Sequence, residues 1–335
     1  MVISRTPFRI SFLGGGTDYP VWYREHGGAV LSSTIDKYCY ISLRWLPPYF
    51  DHKHRIVYSR SENVMCVDEI EHPSVRETMR YLGITDGVEI HHDADLPARS
   101  GLGSSSAFTV GLLNALRALL GRMSDKAQLA RQAIEIEQER IAENVGSQDQ
   151  VAAAYGGLNR ILFNRDGSFE VQPLILPPQR MNELSDHLLF FYTGVQRFAS
   201  VVAAEQIKQT PLRQNELHRM RELVDEGMAV LIDEHSDIEA FGRLLHEGWL
   251  LKRSLTGAIS NAHIDNIYNT ALSAGATGGK LIGAGGGGFM LFLAPPQCHA
   301  AIRESLHDLL HVPVKPVRIG SQIIFYEPTQ KEPVQ

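Results

Sequence analysis

The sequence predicts an α+β protein in two lobes. Its 335 residues exceed the roughly 250–300 at which a single hydrophobic core stops growing. Strand-forming segments crowd residues 9–59, whereas residues 198–274 keep helical spacing with breaks near 210 and 236. Between them, the pair Pro177-Pro178 in ILPPQRMNELSDH (175–187) interrupts both periods and makes that segment the expected linker between lobes 1–180 and 181–335.

Local pattern justifies the elements in turn. RISFLG (9–14), GAVLSSTI (28–35), YCYISLRWL (38–46) and HRIVYS (54–59) cluster β-formers between glycine, proline and aspartate punctuation, and VEIHHDADLP (88–97) adds a further strand. Apolar spacing predicts helices over 108–120 and 125–143, the second capped by Ser124 or Asp125. A glycine turn, NVGSQD (144–149), leads to QVAAAYGG and to strands at 158–164 and 169–174. After the linker come a strand at 188–194 and the long helical stretch. The chain closes with KLIG, a four-glycine turn, the strand FMLFLA (289–294), a helix at 297–310 and a strand near 314–326, an order that suggests a small α+β lobe.

Composition narrows the class of partner. A net charge of −6 gives no basic footprint for nucleic acid, so a small molecule is expected. Cys39, Cys66 and Cys298 are too far apart for a disulfide framework or a metal cluster and suit a reducing cytosol. The 14 histidines include no HExxH, and His91 and His92 point to opposite faces of a strand. MVISRTPFRISF lacks a signal-peptide core and no apolar run reaches membrane-spanning length, so a soluble cytoplasmic protein is expected.

Three glycine-rich segments carry the chemistry. PARSGLGSSSA (97–107) lies between a strand and an apolar helix, so its backbone N–H groups and the positive end of the helix dipole favour an anion. Gly101 and Gly103 permit close approach of a polyphosphate, while Ser104, Ser105 and Ser106 offer hydroxyls to phosphate or magnesium. FLGGGTDYP (12–20) and KLIGAGGGGFM (280–290) each follow a strand. Residues 283–288 match GxGxxG, yet a strand follows them rather than a helix, which excludes the dinucleotide-binding fingerprint; a Walker motif is also absent. Taken alone, the serine loop reads as a capped helix start and the glycine cluster as a hairpin turn.

RTPFRISFLGGGTD, PARSGLGSSSA and KLIGAGGGGF together, in this order and spacing, resemble the three motifs of the GHMP kinases, the galactokinase, homoserine kinase, mevalonate kinase and phosphomevalonate kinase superfamily. GGGTDYP, GSQDQ (146–150) and YTGVQRFAS (192–200) look most like the bacterial D-glycero-D-manno-heptose 7-phosphate kinases, and fucokinase-type enzymes share parts of the pattern. The resemblance implies a first lobe of mixed sheet and helices, a ferredoxin-like α+β second lobe, and a cytoplasmic kinase using ATP and Mg2+ on a small-molecule sugar phosphate, with self-association left open.

Site roles come with the resemblance. Pro97, Ser100, Gly101, Leu102, Gly103, Ser104, Ser105 and Ser106 would hold the ATP phosphates, with Ser105 at the magnesium-ligating position. Glu139, ten residues before Asp149, sits near the family spacing for the second magnesium ligand, with Glu137 next in line; without the resemblance this helix reads as a charged solvent face. Asp149 matches the general base and Arg9 the basic residue beside it. Gly14, Gly15, Gly16, Thr17 and Asp18 would meet the sugar, as would Gly285, Gly286 and Gly287. Gly15 stands where galactokinases carry glutamate, which opens space for a bulkier sugar. Arg197 is the candidate clamp for the sugar's own phosphate, with Arg99 and Lys37 also available. A non-catalytic sensor of the same fold would lack some of these chemical residues.

Overall fold

The computed structural model describes residues 1–97, 100–195 and 199–328 and sorts them into two sheets. The first takes β1 (Val2–Leu13), β2 (Gly28–Trp45), β3 (His54–Val57), β4 (Ser61–Val64), β5 (Val88–Ala94), β6 (Leu158–Phe163) and β7 (Phe169–Pro173). The second takes β8 (Leu188–Tyr192), β9 (Gly278–Leu281), β10 (Phe289–Leu293) and β11 (Leu310–His311) in the antiparallel order β11-β8-β10-β9. With helices between β8 and β9 and between β10 and β11, that is the β-α-β-β-α-β arrangement of a ferredoxin-like lobe. The chain then crosses back. β12 (Pro316–Val317) and β13 (Gln322–Tyr326) pair with β2 and β1 of the first sheet, so a cut at residue 180 separates them from the lobe they complete.

The helices are α1 (Pro20–His26), α2 (Pro73–Leu82), α3 (Ser104–Leu119), α4 (Lys126–Glu135), α5 (Gln148–Tyr155), α6 (Pro178–Asp186), α7 (Ala199–Gln209), α8 (Gln214–Ile232), α9 (Glu239–Ser254), α10 (Ala262–Ser273) and α11 (His299–Ser305). Helix α3 is apolar on nearly all sides because it is covered all round, by β1 and β2 on one side and by α2, α4 and α5 on others. The last turn of β1 is gripped by the second lobe: Phe12 meets Phe241 edge-on at 5.5 Å, and Leu13 fills the space beside Gly227 of α8. That grip fixes where the loop after β1 begins. No described helix is long and apolar enough to cross a membrane.

Two expected boundaries move. The linker at 175–187 is largely helix α6, because a proline in the first turn has no intrahelical N–H to lose. Buried Arg180 of α6 donates to the carbonyls of Val230 (2.7 Å) and Leu231 (3.4 Å) at the end of α8, docking the segment rather than leaving it free. The strands expected at 28–35 and 38–46 are one strand of 18 residues. Asp36 does not break it, since its carboxylate accepts from the Lys315 amide at 2.8 Å and its own amide donates back to the Lys315 carbonyl at 2.9 Å.

Candidate active site

Arg9 and Asp149 form the centre of a cavity between the serine loop and the loop after β1. Arg9, facing inward from β1, grips Asp149 with two parallel hydrogen bonds, Nε to Oδ1 and Nη2 to Oδ2, each 2.7 Å, and gives Nη1 to the Gly101 carbonyl at 2.7 Å. The guanidinium thus orients the carboxylate bidentately and ties it to the serine loop. Asp149 lies in the first turn of α5, inside the helix rather than at its cap, with Ser147 as N-cap.

The serine loop brings its hydroxyls to one wall. Gly101, Gly103, Ser104, Ser105 and Ser106 line the cavity, and Ser105 is exposed on it. Pro97 is exposed outside the lining, while Ser100 and Leu102 are buried behind it; Leu102 accepts the Arg9 amide through its carbonyl at 3.2 Å. Buried Ser106 donates its hydroxyl to Glu137 at 2.7 Å, and Gln150 donates to the same carboxylate oxygen. The other oxygen, Oε1, is buried without a partner. Burial pushes this carboxyl up to about 7 against the hydrogen bonds that favour its charge.

Glu139 takes a different position from the one expected. It is exposed and pairs with neither Asp149 nor a serine among the described residues, because it lies two positions on from buried Glu137, on the solvent side of the helical segment. Here a stretch of π-helix at Ile136–Arg140 replaces the α-helix expected to run on to 143. Glu137, rather than Glu139, is the carboxylate that stands beside a loop serine. An orphaned carboxylate oxygen beside serine hydroxyls fits Mg2+, which takes one or two carboxylates plus substrate phosphates rather than an all-protein cage. No group of three or more His, Cys, Asp or Glu among the described residues could hold a metal ion.

Of the loop after β1, Gly15, Gly16 and Asp18 line the cavity. Asp18 is buried, accepting from the amides of Gly16 (2.8 Å) and Gln148 (3.4 Å). Burial raises its carboxyl above the ordinary range and Asp149 adds to this, while the Gly16 amide and Lys252 oppose it. Gly14 and Thr17 do not meet the cavity. Thr17 donates to the carbonyls of Gly14 and Ala29, and a Cβ on Gly14 would stand 2.0 Å from the Ala29 carbonyl oxygen, so both brace the turn.

The glycine turn supplies Gly283 and Ala284 to the lining, but Gly285, Gly286 and Gly287 lie behind it. The Gly286 amide bonds to the Ile259 carbonyl at 2.8 Å, and a Cβ on Gly287 would meet the Val195 carbonyl oxygen at 2.6 Å. These glycines are there for close backbone packing rather than for substrate. The two loops interlock: a Cβ on Gly101 would lie 2.4 Å from the Ile282 oxygen, and one on Gly283 would lie 2.6 Å from the Gly101 oxygen. Both residues have positive φ, 82° and 88°. Gly283→Ala is accordingly expected to lose about 2–4 kcal/mol of stability, left-handed strain plus overpacking against backbone, read by denaturant unfolding. A loss below about 0.5 kcal/mol, the range of ordinary surface changes, would mean that the loops do not interlock.

Residues 71–157 match the family described as GHMP kinases N terminal domain, and residues 228–310 match GHMP kinases C terminal. The chain belongs to the GHMP kinase family. Among its relatives is a D-glycero-alpha-D-manno-heptose 7-phosphate kinase of Campylobacter jejuni, 28% identical over 88% of this chain and 89% of that protein. A bifunctional fucokinase/GDP-fucose pyrophosphorylase of Arabidopsis thaliana is 26% identical over 92% of this chain but only 31% of its own length. The crystal structure of a D-glycero-D-manno-heptose 1-phosphate kinase from Bacteroides thetaiotaomicron superposes with a TM-score of 0.78 at 24% identity, covering 96% of this chain and 98% of the other. Lactococcus lactis galactokinase superposes at 0.74 with 18% identity, over 96% and 94%.

This GHMP kinase also places in its cavity residues that motif reading passed over, chiefly Lys252, Lys280, Ser11 and Gln148. Lys280 opens the segment KLIGAGGGG. Lys252 follows Phe241, Leu245 and Trp249 at helical spacing on the buried face of α9, and a lysine on an apolar stripe was the available signal. Lys37 lies outside the cavity lining and pairs with Asp36. Arg197 and Arg99 fall outside the described residues.

Proposed function

We propose that this GHMP kinase transfers the γ-phosphoryl of ATP to the anomeric hydroxyl of D-glycero-D-manno-heptose 7-phosphate, giving the 1,7-bisphosphate. The arginine-clamped Asp149, set between the serine loop and Asp18, carries the reading. The name of the C. jejuni relative supports the acceptor, and Gly15 lines the cavity without placing a carboxylate in it.

The serine loop receives the nucleotide phosphates on backbone N–H groups and hydroxyls. Asp18 accepts hydrogen bonds from the sugar, and Asp149 takes the proton of the attacking hydroxyl as its oxygen bonds to the γ-phosphorus and the bond to the β-phosphate oxygen breaks, releasing ADP. Arg9 holds the base in place and offsets charge developing beside it. Bound through Glu137 and the loop serines, Mg2+ would neutralise phosphate charge.

ADP release over heptose 7-phosphate, fucose, galactose and mevalonate tests the reading. Turnover is expected with heptose 7-phosphate, with a product carrying one anomeric phosphate by phosphorus NMR. Preference for fucose would replace this acceptor with an unphosphorylated sugar, the activity named for the plant relative. ATP binding without turnover of any acceptor would indicate a sensor.

A further inference from the structure

We propose that Lys252 and Lys280 together seat the phosphate that the acceptor sugar already carries, a proposal that rests on the phosphorylated-acceptor reading above. Both side chains line the cavity, and both residues are more than nine-tenths buried, at 6% and 8% exposure. Among the described residues neither forms an ion pair. The one hydrogen bond each makes goes to a neutral oxygen, Lys252 Nζ to Gln206 Oε1 at 2.6 Å and Lys280 Nζ to the Phe12 carbonyl at 2.9 Å. An ammonium has three N–H donors, so each retains donors with nothing to meet them. Two buried amines facing one space, with Asp18 as the carboxylate near them and no ion pair to it among the described residues, make an arrangement that folding alone disfavours and that a further anion resolves.

The surroundings complete the seat. Gln206 Nε2 and Ser11 Oγ are buried without hydrogen-bond partners, and both can donate. Gly16 keeps the approach open: a Cβ there would come within 2.8 Å of Gln206 Nε2 and 3.7 Å of Lys252 Nζ. Arg9, the third cation, is already committed to Asp149 and the Gly101 carbonyl. Burial pulls the Lys252 ammonium down to about 8, with Asp18 opposing this, and pulls Lys280 down to about 7, with Lys252 reinforcing it. A phosphate dianion between them would reverse that pressure.

Position distinguishes this seat from that of the ATP phosphates. A Cβ on Gly103 of the serine loop would lie 3.2 Å from Asp149 Oδ2, which places that loop directly on the base, whereas Lys252 Nζ lies beside Gly16 and Lys280 Nζ reaches the Phe12 carbonyl, both at the loop after β1. Dual cationic recognition at the acceptor end explains how an enzyme of this fold selects a sugar phosphate over the free sugar.

Lys252→Met and Lys280→Met keep the apolar stem and remove the charge, so both variants are expected to fold, with melting temperature at or above wild type. KM for heptose 7-phosphate should rise about 10–100-fold in each, the loss of one charge-assisted contact, with KM for ATP and for unphosphorylated heptose unchanged. Equal losses on both sugars, or a raised KM for ATP, would assign the lysines to the transferring phosphoryl group or the fold and overturn the proposal. Unchanged KM for heptose 7-phosphate in both variants would overturn it while leaving the proposed function standing. A wild-type enzyme that ignores heptose 7-phosphate would remove both. If either variant fails to fold, Gln206→Leu supplies the same comparison, since it removes a donor of the seat and leaves the sugar-binding loop after β1 unchanged.

Discussion

Asp149→Asn is expected to lower kcat by about 10²–10⁴-fold, the range for removing a positioned general base, with KM for ATP nearly unchanged. The asparagine is close to isosteric, so α5 and the serine loop should stay in place. Its amide nitrogen cannot accept a proton, and on one side it would set donor against donor with Arg9, which now donates to both carboxylate oxygens. On the proposed reading ATP would lie with the serine loop and lose no contact. Single-turnover and steady-state measurements at saturating substrate separate the cases. Turnover within about threefold of wild type would reduce Asp149 to a favourable charge in the first turn of α5, worth at most about 2 kcal/mol of helix stability.

How legible this was in the sequence depends on how local each signal is. The serine loop was legible by itself, because glycines and a polar run before an apolar helix are local features, whereas Arg9 and Asp149, which the structure brings beside it, were marked only by the family resemblance. The alternation of strands and helices in chain order made a small α+β second lobe readable, and the family resemblance supplied its ferredoxin-like form. The return of β12 and β13 to the first sheet was not: Val2 pairs with Tyr326 across nearly the whole chain, and neither segment carries a mark of its partner. Helix α6 was hidden by treating Pro177-Pro178 as a breaker when the second proline opens a helix.

The remaining differences come from reading spacing along the chain instead of direction around a helix. Ten residues separate Glu139 from Asp149, but Ala130, Ala133 and Glu137 share the buried stripe that continues from α4. The same rule applies to Lys252 on α9. A charged residue on an apolar face is either an error of register or a functional group. Here Glu137 keeps an unpartnered oxygen and holds Ser106 of the cavity lining, and Lys252 lines the cavity itself.

That face argument yields the second large effect. Glu137→Gln is expected to raise the half-saturating magnesium concentration at least about 10–100-fold, a loss typical even of groups that only support a metal ligand, whereas Glu139→Gln should leave it unchanged. Glutamine keeps the shape and can still accept the Ser106 hydroxyl, but its amide nitrogen cannot coordinate a hard cation. Folding should survive, because burial already disfavours the charge that the substitution removes. Unfolding midpoints in the absence of metal should therefore match while magnesium titrations of activity diverge. If Glu139→Gln instead shifts the titration and Glu137→Gln does not, the exposed carboxylate reaches the metal when substrates bind, and the buried Ser106–Glu137 contact only anchors the start of α3 against the π-helical segment.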